Sequence, residues 1–279
     1  MTHMPASWPH WWQDRGHPLP LTGERTLPGI AHERYWFARH VVGYQIAADA
    51  LAAAPTDAPA PVLDAGCGEG YGAALLASRR PLGAAVVGAD MDSAAVAHAH
   101  RVYGEAARFC TAEITCAPFR DGAFGAVVAS QVIEHLWDVD AWLDDVARLL
   151  TPDGTLVVLT PNRHTFTPGH DEPVSPFHVT EFAPDELRGR LTGRFRDVAV
   201  HGVVHGARLR ALEDAHGVGL PQAQSSAPPE RWPTWLRDAV ATTRPGDFAR
   251  APAEASLDHV AVATRPAADA GPTRHPWEP

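Results

Sequence analysis

The run Asp64-Ala65-Gly66-Cys67-Gly68-Glu69-Gly70-Tyr71-Gly72, placed directly after the apolar pair Val62-Leu63 and before a helix-favouring stretch, restricts the fold more than any other feature. Glycine at alternate positions lets a strand turn tightly into a helix and lets a ligand come close to the backbone. The segments that follow repeat the theme. Short apolar runs at VLDAG from 62, AAVVGAD ending at Asp90, 106–111, AFGAVVAS from 123 and TLVVLTP from 155 alternate with helical stretches at 70–79, 92–103 and 138–150. Parallel neighbours need such crossover connections, so the alternation predicts a doubly wound α/β sheet.

The remaining elements complete a Rossmann-like, mostly parallel seven-stranded sheet. ELRGRL is a helix, and FRDVAVHGVV (195–204) and LDHVAVAT (257–264) are strands. Tyr35, Trp36, Ala38, Val42, Ile46 and Leu51 are spaced for one or two N-terminal helices over 31–54, which the Pro-rich 54–61 ends. The division expected is an N-terminal arm (1–30), one domain (31–264) and a disordered tail (265–279). A strand at 195 parallel to the others ends at the carboxyl edge of the sheet, where such folds bind ligands. The helical insert 205–255 is therefore expected over the active site, beside the loop 162–181.

Composition narrows the class. The formal charge of −10 disfavours a nucleic-acid partner, whose phosphates are bound largely by Lys and Arg. No stretch approaches the about 18 to 20 apolar residues of a membrane helix, and the polar, Pro-rich start does not resemble a secretory signal. A cytoplasmic location is expected. Cys67, Cys110 and Cys116 have the spacing of neither a disulfide framework nor a zinc site.

Asp64 and Asp90 point to the ligand. NAD, FAD and S-adenosylmethionine (SAM) proteins all use Gly-rich turns, but a carboxylate two residues before the first glycine faces a pyrophosphate unfavourably and suits a ligand carrying an ammonium and a sulfonium. Asp90, twenty residues beyond Gly70, ends the second strand, where an acid accepts hydrogen bonds from ribose hydroxyls. Its bland reading is a helix cap, a role that Asp92 fits better. Glu113 is placed to accept from an adenine amino group with Met91 or Ile114 against the ring; otherwise it is a solvated loop acid.

DAGCGEGYG, GADMD, AEITCAPF and SQVIEHLWD, in this order, resemble the motifs of class I SAM-dependent methyltransferases. The resemblance implies SAM as cofactor, with Asp64, Gly66 and Gly68 at its amino-acid end, Asp90 at the ribose and Glu113 at adenine. The full candidate cofactor set is Asp64, Gly66, Cys67, Gly68, Gly70, Tyr71, Asp90, Met91, Glu113, Ile114 and Gln131. Gly125 departs from the Phe-Asp pair of many relatives. QVIEHL also resembles the E-x-x-E-H pattern of quinone O-methyltransferases, whose acids and histidine bind a divalent metal. Gln131 replaces the first acid, so Gln131, Glu134 and His135 are weak metal candidates and a metal is an option rather than an expectation.

A hydroxyl acceptor must lose a proton, for which His135, His178 and His170 are the candidate bases. His135 equally fits a loop-bracing role, and His164, Asp171 and Glu181 share the loop with His170 and His178. No (Asp/Asn)-Pro-Pro-(Tyr/Phe) or Pro-Cys motif is present, which turns the choice from nitrogen and base methylation toward oxygen on a small molecule or glycan. LTGERTLPG, YWFARH, TPNRHTFTPGHDEPVSPFHVTEF, HGARLRALEDAHG and SLDHVAVA resemble actinobacterial methyltransferases associated with methylglucose lipopolysaccharide synthesis, which implies a glucose hydroxyl as acceptor. Rival readings are a quinone or polyketide O- or C-methyltransferase and a non-catalytic SAM-binding module.

Overall fold

The computed structural model describes residue 19 and residues 25–53, 60–79, 84–170 and 172–267. Most of the expected arm, the linker 54–59 and the tail from 268 lie outside the described residues, as does Asp171. No helix among the described residues is long and apolar enough to cross a membrane.

Among the described residues eight strands form one sheet: β1 Val62–Ala65, β2 Val86–Asp90, β3 Arg108–Thr111, β4 Phe124–Ser130, β5 Leu150–Pro161, β6 Phe195–His205, β7 Phe248–Ala251 and β8 Asp258–Pro266. The order is β3-β2-β1-β4-β5-β8-β6-β7. The first five strands are mutually parallel. β8 is antiparallel to both β5 and β6, so β6 runs in the same sense as β5, as expected. The expected count of seven is one short. The additional strand, β7, is a four-residue edge strand antiparallel to β6, with exposed Ala249 and Arg250 in place of an apolar run.

The helices are α1 Arg34–Ala53, α2 Tyr71–Arg79, α3 Ser93–Tyr103, α4 Val139–Leu149, α5 Arg163–Phe166, α6 Pro184–Thr192, α7 Ala207–His216, α8 Leu220–Ser225 and α9 Thr234–Thr242. Strand residues alternate between two apolar layers, as the period of two requires. Val62, Val128 and Val157 pack with α1 and α2, while Leu63, Val127 and Val158 pack with α4 and α6. Asp92 caps α3 by accepting from the Ala94 and Ala95 amides, and Asp138 caps α4 through the Ala141 amide. Chain order reverses between β1 and β4, and the crevice at their carboxyl ends is where open α/β sheets bind ligands.

The segment 205–255 packs chiefly on one helix. Leu209, Leu220, Trp232, Leu236 and Val240 are buried in the layer that holds Tyr35, Phe37 and Val41 of α1. The apolar faces of α7, α8 and α9 are thus spent on α1, and the segment thickens one side of the sheet.

One ion pair ties these parts together. Arg39 of α1 makes a bidentate contact to Asp258 at the start of β8, and its Nη2 also donates to the Leu257 carbonyl at 2.8 Å. Both side chains are almost wholly buried. Removing one partner from such a pair strands a buried charge and costs about 3 to 5 kcal/mol. Arg39→Met and Asp258→Leu are each predicted to lower unfolding free energy by about that amount, whereas the double variant recovers most of it. Urea titration of the four proteins checks this.

Candidate functional site

Two adjoining cavities open at the carboxyl edge. The larger, about 610 Å³, is lined by Gly66, Cys67, Gly68, Tyr71, Asp90, Met91, Glu113, Ile114 and Gln131 among others. Thus every residue of the candidate cofactor set except Asp64 and Gly70 lines it. Gly70 (φ +100°) lies beneath, where an added Cβ would fall 2.6 Å from the Ala99 Cβ. Gly68 (φ +53°) differs: an added Cβ there would meet nothing within 4 Å. Packing demands Gly70, and only backbone conformation and open space distinguish Gly68.

Asp90 Oδ2 accepts from the Gly68 amide at 2.8 Å and Oδ1 from the Asp92 amide at 2.9 Å. A carboxylate has about four acceptor positions, so these bonds fix its orientation and leave capacity for ribose hydroxyls. The alternative cap role belongs to Asp92, which also pairs with Arg25 at 2.6 Å. Glu113 Oε1 is taken by the amide and hydroxyl of Thr115. Met91 is 72% exposed, an apolar surface at the cavity wall with little protein against it.

Asp64 sits behind the turn, fully buried. Its Oδ1 accepts from the Tyr44 hydroxyl at 3.0 Å, while Oδ2 has no partner among the described residues. Burial pushes the carboxyl up to about 7. An orphaned buried carboxylate oxygen beneath a glycine turn, together with the open space over Gly68, fits a ligand whose amino-acid end is cationic.

The smaller cavity, about 190 Å³, shares Arg25, Thr26, His40, Gln131 and His135 with the larger one. Trp36, Phe166 and Phe177 supply aromatic walls; Glu33, Arg39, Glu134, Ser175 and His178 supply polar groups. Glu134 is buried, with Oε2 accepting from the Thr160 hydroxyl at 2.9 Å, and burial pushes it up to about 7. His135 Nδ1 donates to the Phe177 carbonyl at 2.9 Å, and His178 Nδ1 donates to Glu181 at 2.7 Å. The two rings lie 5.1 Å apart.

The candidate bases therefore separate. His135 and His178 meet at the smaller cavity, but His170 is exposed and lines neither cavity, because its loop carries it outward after the Pro168-Gly169 turn. Gln131 lines both cavities with its amide nitrogen 3.3 Å from Asp258, so it is not turned solely to the Glu134–His135 pair as a metal ligand would be. No residue of 205–255 lines either cavity; that segment packs against α1 and touches the 162–181 loop through the Gln222 side chain, which donates to the Thr165 carbonyl at 3.3 Å. Sequence reasoning missed the part of the wall supplied by Arg25, Thr26, His40 and Tyr44. Arg25 and Thr26 fall in LTGERTLPG and His40 in YWFARH, but those segments were read only for the acceptor resemblance, and no local pattern turns them toward the cofactor.

Residues 63–158 match the methyltransferase domain family. A probable S-adenosylmethionine-dependent methyltransferase of Mycolicibacterium smegmatis is 43% identical over 89% of this chain and 96% of its own length. One from Mycobacterium tuberculosis H37Rv, with the same description, is 42% identical over 89% of this chain and 90% of its own. Among solved structures, the complex of a Haloferax volcanii putative methyltransferase with the Trm112 methyltransferase activator matches with a TM-score of 0.54 at 20% identity, covering 82% of this chain and 91% of that one, a likeness of fold.

Two measurements test the cofactor geometry. Asp90→Ala is predicted to raise the SAM dissociation constant about 10- to 100-fold, the effect of losing charge-assisted hydrogen bonds. Because the Asp64 carboxyl is held near 7, it becomes neutral as pH falls through that value and its attraction for the ligand's ammonium is lost. SAM affinity is predicted to decline below pH 7 by up to about tenfold per unit, and Asp64→Asn to flatten that profile. Calorimetric titration between pH 5.5 and 8.5 reads both.

Proposed function

The chain belongs to the class I SAM-dependent methyltransferases, and from that premise we propose that it methylates a hydroxyl oxygen of a sugar unit, in a glycan or related small molecule. SAM is the cofactor of the family. The observation that carries the proposal is the lining of the smaller cavity. Three aromatic side chains face the same space as Glu33, Gln131, Glu134, His135, Ser175 and His178. A pyranose has an apolar C–H face that suits an aromatic wall and a rim of hydroxyls that needs donors and acceptors. A quinone acceptor calls for a mainly apolar enclosure, which this lining does not resemble. The resemblance to methylglucose lipopolysaccharide methyltransferases supports a glucose 6-hydroxyl as the first acceptor to try.

The shared wall gives the reaction its geometry. At the larger cavity Asp64 and the glycine turn would hold the ammonium end of SAM, Asp90 its ribose, and Glu113 with Ile114 its adenine. The acceptor oxygen enters past Trp36 and Phe166 and attacks the methyl carbon in line. The carbon–sulfur bond breaks with its electron pair remaining on sulfur, which leaves S-adenosylhomocysteine and the methyl ether. The hydroxyl proton passes to one of the bases that converge at the smaller cavity, the Glu134 carboxylate or the imidazole of His135 or His178. Holding the two reactants at attack distance supplies much of the acceleration.

Incubation with methyl-labelled SAM and α-glucan oligosaccharides is predicted to place label on a glucose oxygen. His178→Ala is predicted to lower kcat by about 10²- to 10⁴-fold with SAM affinity unchanged, since His178 lines only the acceptor side. Label confined to a quinone or polyketide fraction overturns the sugar proposal, and SAM binding with no transfer to any fraction favours a binding module.

A further inference from the structure

We infer that Glu134, His135 and His178 form a site for one divalent transition-metal ion at the junction of the two cavities. The inference deepens the acceptor reading above and depends on it for what the ion would do, not for whether the ion binds. One ligand atom from each residue lies within 4.8 Å of the others. Ligands on one ion with bonds of about 2.0 to 2.2 Å stand up to about 4.2 Å apart, so a contraction of a few tenths of an ångström completes the set.

The outer partners give the stronger argument. His135 is held at Nδ1 by the Phe177 carbonyl and His178 at Nδ1 by Glu181, which orients the Nε2 edge of each ring away from those partners. Imidazole braced at one nitrogen by a carbonyl or carboxylate is the usual second layer of a metal centre. Glu134 follows the same plan: Thr160 occupies Oε2, while buried Oε1 has no partner among the described residues. A carboxylate oxygen withdrawn from water without a partner is costly, and a cation beside it removes the cost. The loop and the turn are locked together, because the amides of Val179 and Thr180 both donate to the Glu134 carbonyl, at 2.7 and 3.2 Å. The three side chains line the acceptor cavity, and His135 also lines the cofactor cavity.

The donor set defines the ion. Two imidazoles and one carboxylate suit Zn²⁺, Co²⁺, Mn²⁺ or Fe²⁺, whereas Mg²⁺ and Ca²⁺ prefer oxygen throughout. Three protein ligands leave a position open, as in catalytic rather than structural sites. When bound, such an ion supplies Lewis acidity that lowers the pKa of a coordinated hydroxyl. The site differs from the one suggested by QVIEHL alone: His178, from a loop more than forty residues away, takes the place assigned there to Gln131.

The test uses the full chain, stripped with chelator and titrated with Co²⁺ while its visible absorption is followed, then with Zn²⁺ in competition. One equivalent of Co²⁺ is expected, displaced by Zn²⁺ and not by excess Mg²⁺. Glu134→Gln and His178→Ala are expected to weaken binding more than tenfold, and Glu181→Gln about 10- to 100-fold, as for an outer partner. His170→Ala is expected to change nothing, and SAM titration confirms that each variant is folded. Absence of stoichiometric binding, or binding that survives His178→Ala, overturns the inference. Sugar methylation by a chain that binds no metal sinks this inference alone; metal binding without sugar methylation sinks the acceptor reading alone.

Discussion

The Arg39–Asp258 pair is the interaction on which the arrangement of the site depends. Asp258 begins the antiparallel strand β8, which lies between β5 and β6, and Arg39 lies on the helix that brings Trp36 and His40 to the cavities. A buried guanidinium needs its donors satisfied, and here a carboxylate and the Leu257 carbonyl satisfy them in a fixed plane. The pair therefore sets the rotation of α1 about its own axis. It also reaches the reaction edge directly, since Gln131 donates to the same carboxylate. Trp36 packs under the Arg39 guanidinium, 5.3 Å from ring centre to charge, so the acceptor wall rests on the same support.

Around that support, the carboxylates sort by their partners. Asp90 is bonded to two amides and faces the cavity; Asp64 and Glu134 are buried, and each keeps one oxygen without a partner among the described residues. Three half-satisfied buried acids, Asp64 beneath the cofactor turn and Glu134 and Glu181 at the acceptor side, leave the apo site short of positive charge at two places. SAM brings a cation to the first. The proposed ion brings one to the second, and the stability lost by burying these acids is regained on loading the site.

The cofactor half was largely legible in the chain because its signals are local. A strand, a glycine turn and a following acid lie within about thirty residues, and the competition between Asp90 and Asp92 for the cap resolves as the spacing suggests. The acceptor half was less legible because it is assembled from distant segments. Nothing in the period of residues 25–40 shows that Arg25, Thr26, Trp36 and His40 face the carboxyl edge, and nothing in the loop separates His178 from His170. Glu181 makes the difference: it is buried behind His178 and holds the ring inward, whereas His170 has no such side-chain brace among the described residues. The segment 205–255 is opaque for a related reason: the destination of its apolar faces is decided by the unpaired face of α1, which no local pattern displays.

Gln131 shows how the two halves are joined. It occupies the left-handed region with φ +56°, uncommon for a residue with a Cβ and costing about 1 kcal/mol or more. Two bonds hold it there: its amide donates to the Leu159 carbonyl at 2.8 Å, and its side chain donates to Asp258. The backbone reverses sharply at this point, so that Ser130, Gln131 and Val132 all line the cofactor cavity before the chain turns again to present Glu134 and His135 to the acceptor. A relaxed strand end would carry Val132 and the acid–histidine pair away from one of the two cavities. Strain at one residue, maintained by the buried Asp258 that Arg39 neutralises, is thus what lets a single short turn serve donor and acceptor at once.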